Sequence, residues 1–374
     1  MHVLLEAEQG RSHLCTALLH PPPLRPWPSF VARHARLAAC ALAVARKMPR
    51  PTEYVPPQST QAAQVTLIAR VPSRITPGTD IVVEDVRARG QNRIFRELRF
   101  ELRDPRARGR RTRARALVQT VASVDALEGK EPPGLEVAYH RAMVAGLALR
   151  TSASSALSRV AVLGLGGGAL VRFIAHYYHP CELEVAERDA AVVGVAARHF
   201  GVHASPPRLC VYTCDALVYA RGRAARATEP LDCLLLDVDA PESSPAQPPS
   251  VPVEVERLFL CAPGSDLLRA DALVELAACV REGGVVIINL LPPSRTPAAA
   301  LDRFVARAVA PAFAEHAVLS VSGDENLIFI GVVRRFRARL TRSSTAGALR
   351  RRRLLREACA LVGVGVWTDG RTIL

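Results

Sequence analysis

The chain has 374 residues and a formal net charge of +14, from 49 Lys and Arg against 35 Asp and Glu. That length holds one large domain or two, and 49% hydrophobic residues supply a sizeable core. The basic balance would suit RNA or an anionic surface, and high Arg, Ala and Pro usage accounts for it equally well. Aromatic residues make up only 5%, too few for a base-stacking platform, so no motif indicates nucleic acid.

Residues 1–60 read as a basic extension. No acid occurs between Gln9 and Thr52, while Arg11, Arg25, Arg33, Arg36, Arg46, Lys47 and Arg50 do. Pro21, Pro22 and Pro23 break any helix there. Acid-poor, basic segments resemble organelle-targeting leaders, but Glu6 and Glu8 interrupt the pattern and Met48 offers a second start. Residues 1–47 are therefore read as either a targeting segment or a stretch upstream of the true start, dispensable for chemistry. The apolar stretch 37–45 is too short to span a bilayer, and no other segment qualifies. The expected compartment is the cytoplasm.

From 61 to 125 the apolar period shortens toward two. Stretches 65–71, 81–87, 93–102 and 116–121 read as strands, with turns at Pro77-Gly78 and Arg89-Gly90. They form an expected small antiparallel β-domain. Seven arginines between Arg103 and Arg115 fill a connecting loop, read as solvated.

Residues 126–340 read as an α/β domain. A helix over Tyr139, His140 and Arg141 to Leu149 precedes a short apolar run, 160–163. That run ends in Gly164, Gly166, Gly167 and Gly168, and a helical stretch follows. This is the form of a buried parallel strand turning sharply into a helix. Glycines let backbone amides approach a ligand, and the helix N-terminus adds partial positive charge. Further apolar runs end in Glu187, in Asp215-Ala216 and in Asp237-Val238-Asp239. Glu187 stands about 20 residues past the glycines, the spacing at which an acid meets a ribose hydroxyl pair in dinucleotide-binding folds. Acids in series at strand ends point to a ligand site, because open α/β sheets bind ligands there. Runs 284–290, 316–321 and 326–333 complete the expected sheet, the last two as an antiparallel hairpin turning at Gly323-Asp324. A Pro- and Ser-rich loop at 241–252 would overhang the site. Residues 341–374, with Arg350 to Arg353 and Trp367, read as a basic helical tail.

Nine cysteines occur without a Cys-x-x-Cys, several within apolar strands. They read as reduced and buried. His176, His179 and Cys181 straddle a helix end and a strand start, so no metal site is expected.

The set Gly164-Leu165-Gly166-Gly167-Gly168, Glu187, Cys214-Asp215-Ala216 and Asp237-Val238-Asp239 resembles the seven-strand S-adenosylmethionine-dependent methyltransferases, in the branch shared with spermidine synthases. With Tyr139-His140-Arg141, it is most similar to the C-terminal domain of the elongation factor 1-alpha lysine and N-terminal methyltransferase. The resemblance spans roughly residues 115 to 335. It implies a Rossmann-like seven-strand methyltransferase sheet preceded by a small antiparallel β-domain. It also implies a second methyltransferase domain upstream in the similar protein, for which 374 residues leave no room, so lysine-directed activity is not carried over.

The implied cofactor is S-adenosyl-L-methionine. Glu187 would take its ribose hydroxyls, and Asp215 its adenine amino group beside the backbone of Ala216. The amides of Gly164, Gly166, Gly167 and Gly168 would approach its methionine portion. Asp237 is the implied catalytic residue, orienting an amine or taking its proton, with Tyr139, His140 and Asp239 on the substrate side. The implied substrate is a protein amine, with elongation factor 1-alpha as the candidate partner. Two alternatives stand beside this, an aminopropyltransferase and a non-catalytic cofactor-binding module. Gly167 stands where spermidine synthases carry Asp, and Arg141 where they carry Glu, which argues against the first.

Overall fold

A computed structural model describes residues 64–87, 92–102, 117–150, 157–205, 208–226, 229–239, 262–293, 296–313, 315–321, 325–333 and 366–367. The expected extension at 1–60, the arginine loop at 103–115, the 241–252 loop, the arginines at 350–353 and two expected turns, at residues 89–90 and 323–324, lie outside them.

The first sheet joins β1 (Gln64–Pro72), β2 (Thr79–Arg87), β3 (Phe95–Leu102) and β4 (Leu117–Ser123) in sequential antiparallel order. Gly78, at φ 75°, makes the β1–β2 turn. β2 is the sheet's spine, with Ile81, Val82 and Val83 fully buried. Glu84 stands directly opposite Glu97 in the β2–β3 register. Two carboxylates so placed repel one another, and the buried Arg99 pairs with both, with Glu97 at 4.0 Å. A buried acid is tolerated only with such a partner.

The second sheet runs in the order β12-β10-β11-β9-β8-β5-β6-β7. Its parallel centre comprises β5 (Arg159–Leu163), β6 (Glu182–Glu187), β7 (Leu209–Thr213), β8 (Leu231–Leu236) and β9 (Val280–Leu290). β10 (Glu315–Val321) and β11 (Leu327–Val332) form the antiparallel edge hairpin, and β12 (Val366–Trp367) adds a short strand to β10. A helical tail was expected around Trp367; instead it pairs with Ser320. Leaving β12 aside, this is the expected seven-strand Rossmann-like sheet, with the small antiparallel sheet before it.

Strand periodicity divides the core. Val160, Val162, Leu183, Val185, Cys233 and Leu235 face one apolar layer, while Ala161, Leu163, Ala186, Leu234 and Leu236 face the other. With helices over both faces, the central strands bury apolar residues on both sides. The helices are α1 (Ala138–Gly146), α2 (Ala169–Tyr177), α3 (Ala190–Phe200), α4 (Ala216–Ala225), α5 (Ala270–Ala278) and α6 (Ala298–Phe304). α1 lies so close on β9 and β11 that a Cβ at Gly146 would meet Ile287 at 3.0 Å and Ile330 at 3.1 Å. Strand order reverses between β5 and β8, and that switch point opens a crevice at the strands' carboxyl ends.

The two sheets are latched together. Ser73 Oγ donates to Asp189 Oδ2 at 2.6 Å, and the Arg74 amide donates to the same oxygen at 3.0 Å. Arg96 forks onto Asp85 at 2.7 and 2.9 Å and also donates to the His199 carbonyl near the end of α3 at 3.0 Å. A cation at a helix C-terminus complements its dipole. Among the described residues no helix is long and apolar enough to cross a membrane.

Candidate active site

At the switch point lies a cleft of about 480 Å³. The large sheet contributes Gly164–Gly166, Glu187–Asp189, Cys214–Ala216 and Asp237–Asp239, with Asp266 further along the chain. The small sheet supplies the opposite wall through Ser73, Thr76, Phe100 and Gln119. Six carboxylates line the cleft against one arginine, Arg188. An acidic cleft in a basic chain draws cations inward.

The glycine run makes a close approach that other residues would forbid. Gly164 has φ 93°, and a Cβ there would lie 2.0 Å from the Asp237 carbonyl oxygen. Gly168 begins α2 at φ 78°, with Val202 only 2.4 Å from where its Cβ would be. Gly164 and Gly166 line the cleft, whereas Gly167 and Gly168 pack beneath it. The amide of Gly167, expected to face a ligand, donates instead to Thr120 Oγ1 of β4 at 2.8 Å. A Gly167→Asp change would meet Thr120 at 2.8 Å and Phe200 at 3.0 Å, so it tests packing before ligand charge.

Glu187 ends β6. Its Oε2 accepts the Leu165 amide at 2.9 Å and its Oε1 the Asp189 amide at 2.8 Å. Burial raises its pKa, opposed by the amides of Asp189, Leu165 and Arg188. Each oxygen keeps a lone pair for a ligand hydroxyl. Asp189 caps α3 through the Ala191 amide at 2.8 Å, and Asp215 caps α4 through the Leu217 amide at 2.9 Å. Asp215 therefore has a structural task beside any ligand role, with its Oδ2 left for the cleft; Ala216 begins the capped helix at the cleft wall.

Asp237 is held from behind. Asn289 Nδ2 donates to its Oδ1 at 2.9 Å, and His140 Nε2 stands 3.1 Å from Oδ2. A carboxylate only accepts, so Nε2 carries the hydrogen. Asn326 Nδ2 donates to Asn289 Oδ1 at 2.7 Å, which fixes the Asn289 amide with its NH₂ toward Asp237. His140 is 3% exposed and Asn289 4%. Tyr139 is likewise buried, with its ring centroid 4.2 Å from that of His140. Tyr139 and His140, expected on the substrate side, stand outside the cleft lining, and His140 supports Asp237 from the protein side. Asp239 lines the cleft; burial first, and the charges of Asp237 and Glu187 next, push its carboxyl up to about 7.

Asn289, Asn326, Asp189, Thr120 and Asp266 were not read from sequence. Asn289 carried a signal, a lone amide in the apolar run of β9, since a buried polar residue is the informative exception.

The residues fit an adenosyl sulfonium ligand: Gly164 and Gly166 line the cleft without side chains, and Glu187 and Asp215 keep spare acceptors. No group of His, Cys, Asp and Glu able to hold a metal occurs among the described residues.

No family model matches the chain. A 125-residue segment is 34% identical to the eEF1A lysine and N-terminal methyltransferase of Xenopus laevis, covering 33% of this chain and 18% of that protein. The human protein of the same name is 32% identical over 127 residues, again 18% of its length. The chain thus spans less than a fifth of the curated relatives it matches. Among solved structures, human methyltransferase-like protein 13 in complex with SAH aligns at 24% identity, covering 63% of this chain and 97% of that one, with a TM-score of 0.47. A probable spermidine synthase from Corynebacterium glutamicum aligns at 15% identity, covering 83% and 99%, with a TM-score of 0.49. Over a third of its length, then, the chain is similar to the eEF1A lysine and N-terminal methyltransferases, and its large sheet is Rossmann-like.

Proposed function

We propose that the protein transfers a methyl group from S-adenosyl-L-methionine to an amine of a protein, an N-terminal amine above all, with elongation factor 1-alpha the first candidate. The observation that carries this is Asp237. It lines the cleft where the glycine turn meets β8, with both oxygens fixed from the protein side by Asn289 and His140.

Glu187 would accept the ribose hydroxyls and Asp215 the adenine amino group, with Ala216 along the adenine edge and Gly164 and Gly166 beside the methionine portion. The cofactor, when bound, supplies an activated methyl group on a sulfonium. The protein's task is alignment, which contributes roughly 7–11 kcal/mol in well-oriented reactions. Asp237 orients the acceptor nitrogen through a lone pair left free on the cleft side. An N-terminal amine titrates at about 7.7–8.0 and lysine near 10.4, so the former needs less help to shed its proton.

The test offers three acceptors with labelled donor: the N-terminal peptide of elongation factor 1-alpha, that peptide acetylated, and putrescine. Methylation of the free peptide alone supports the proposal. Methylation that persists on the acetylated peptide moves the target to a side chain. The putrescine arm, with decarboxylated donor added, is needed because six carboxylates around the cleft would also suit a small polycation, as an aminopropyltransferase requires. Cofactor binding without transfer to any acceptor in a proteome extract would leave a binding module.

A further inference from the structure

Two acids leave the end of β8 into the same cleft, and their surroundings differ. Asp237 has both oxygens engaged, by Asn289 at 2.9 Å and His140 at 3.1 Å. Asp239, two positions on, lines the cleft with no hydrogen-bond donor to it among the described residues. From the proposed reading of the protein as an amine methyltransferase, we infer that the two acids divide the work: Asp237 orients the acceptor nitrogen, and Asp239 takes its proton.

The geometry carries the division. A carboxylate pinned by two donors holds a direction well and changes protonation at the cost of those bonds. One without donors is free to receive a proton and rotate it. The charges around Asp239 act in the same sense. Asp237 lies on its own segment, with His140 behind it. Glu187, Arg188 and Asp189 face the cleft from the end of β6, Cys214 and Asp215 from the end of β7, and Asp266 from the loop before α5. Burial first, and then the charges of Asp237 and Glu187, push its carboxyl up to about 7. That is within a unit or so of an N-terminal amine, at about 7.7–8.0.

The step balances. The acceptor enters as an ammonium and gives one proton to an oxygen of Asp239. The nitrogen lone pair then forms the N–C bond as the C–S bond breaks, its electron pair remaining on sulfur. The nitrogen carries away the positive charge, and Asp239 releases its proton to solvent with the product.

The experiment compares pH profiles of kcat/KM on an N-terminal peptide for the wild type, Asp239→Asn and Asp237→Asn, together with a carboxyl-carbon NMR titration of each protein alone. In the wild type the rate should rise with pH through about 7, as Asp239 ionises. Asp239→Asn should lose about 10²-fold or more at pH 6.5. The loss should shrink to about 10-fold or less by pH 9, where the amine sheds its own proton. Asp237→Asn should show a loss that does not shrink. Asp239→Glu keeps a carboxylate and should keep the limb near 7, which separates chemistry from misfolding. In the titration, one resonance near 7 should vanish in Asp239→Asn and move down in Asp237→Asn. An Asp239→Asn loss constant with pH, or an Asp239 carboxyl titrating below 5, overturns the inference. No transfer by the wild type to any amine overturns the proposed function instead, and the titration bears on Asp239 independently of it.

Discussion

Strand β8 carries one acid near each end, Asp232 and Asp237, and they show how the same side chain becomes scaffold or tool. Asp232 is fully buried at the amino end of the sheet. Its Oδ2 accepts the amides of Ser158 and Arg159 at 2.6 and 3.0 Å, and Arg281 Nε stands 3.2 Å from Oδ1 with Arg150 beyond at 3.9 Å. Its charge is offset by cations beside Oδ1, and its Oδ2 serves the backbone. Asp237 is held by an amide and an imidazole, and no arginine pairs with it among the described residues. Its position is fixed and its charge is left for a ligand. Compensation by a cation, more than burial alone, separates the two.

The comparison can be broken at either end. The largest effect should come from Asp232→Ala, which strands Arg150 and Arg281 and frees two amides. Breaking a buried pair on one side costs about 3–5 kcal/mol, readable as a lower urea midpoint. A loss under about 1 kcal/mol would show that Asp232 is no scaffold. Asp237→Asn should leave stability and cofactor affinity nearly unchanged while transfer falls about 10²-fold or more. An equal loss of stability at both ends would erase the distinction.

Glu187→Ala sharpens it further, since this acid serves both backbone and proposed ligand. Cofactor affinity should fall by about 1.5–3 kcal/mol, measured by calorimetry on the folded variant. Unchanged affinity would move the ribose site elsewhere. Asp215→Ala removes a helix cap, so it should cost about 0.5–2 kcal/mol of stability in addition to affinity. Equal melting temperatures for this variant and the wild type would rule out the capping role. The smallest effect belongs to Asn326→Ala, which only releases the Asn289 amide. About 1 kcal/mol, or roughly 5-fold in kcat with KM unchanged, is expected. A change in KM alone would contradict a positioning role.

The fold was legible because its signals are local. Apolar runs bounded by glycine and tipped by acid mark parallel strands, and alternation marks the small sheet. The same logic brought Glu187, Asp215, Asp237 and Asp239 to one cleft wall. What escaped are bonds between distant positions: Gly167 to Thr120, 47 residues apart, Asp189 to Ser73, 116 apart, and Asn326 to Asn289, 37 apart. No local pattern encodes them, because they depend on how two sheets and a hairpin meet. For the same reason a free amide was expected at Gly167 and a substrate-side position for His140. The segment around Trp367 was read as helix because a run of basic residues suits a helical surface, while the edge of β10 selected two residues for pairing.

The Thr120–Gly167 hydrogen bond has a thermodynamic consequence. The turn that would cradle the cofactor is finished by a residue of the other sheet, so ligand occupancy and the docking of the two sheets are linked equilibria. Whatever binds the completed turn, and not the separated sheets, stabilises the junction by RT ln(1 + [L]/Kd), about 2.7 kcal/mol at a hundredfold excess over Kd. The small sheet should therefore resist proteolysis better as donor concentration rises, although most of its residues lie far from the ligand.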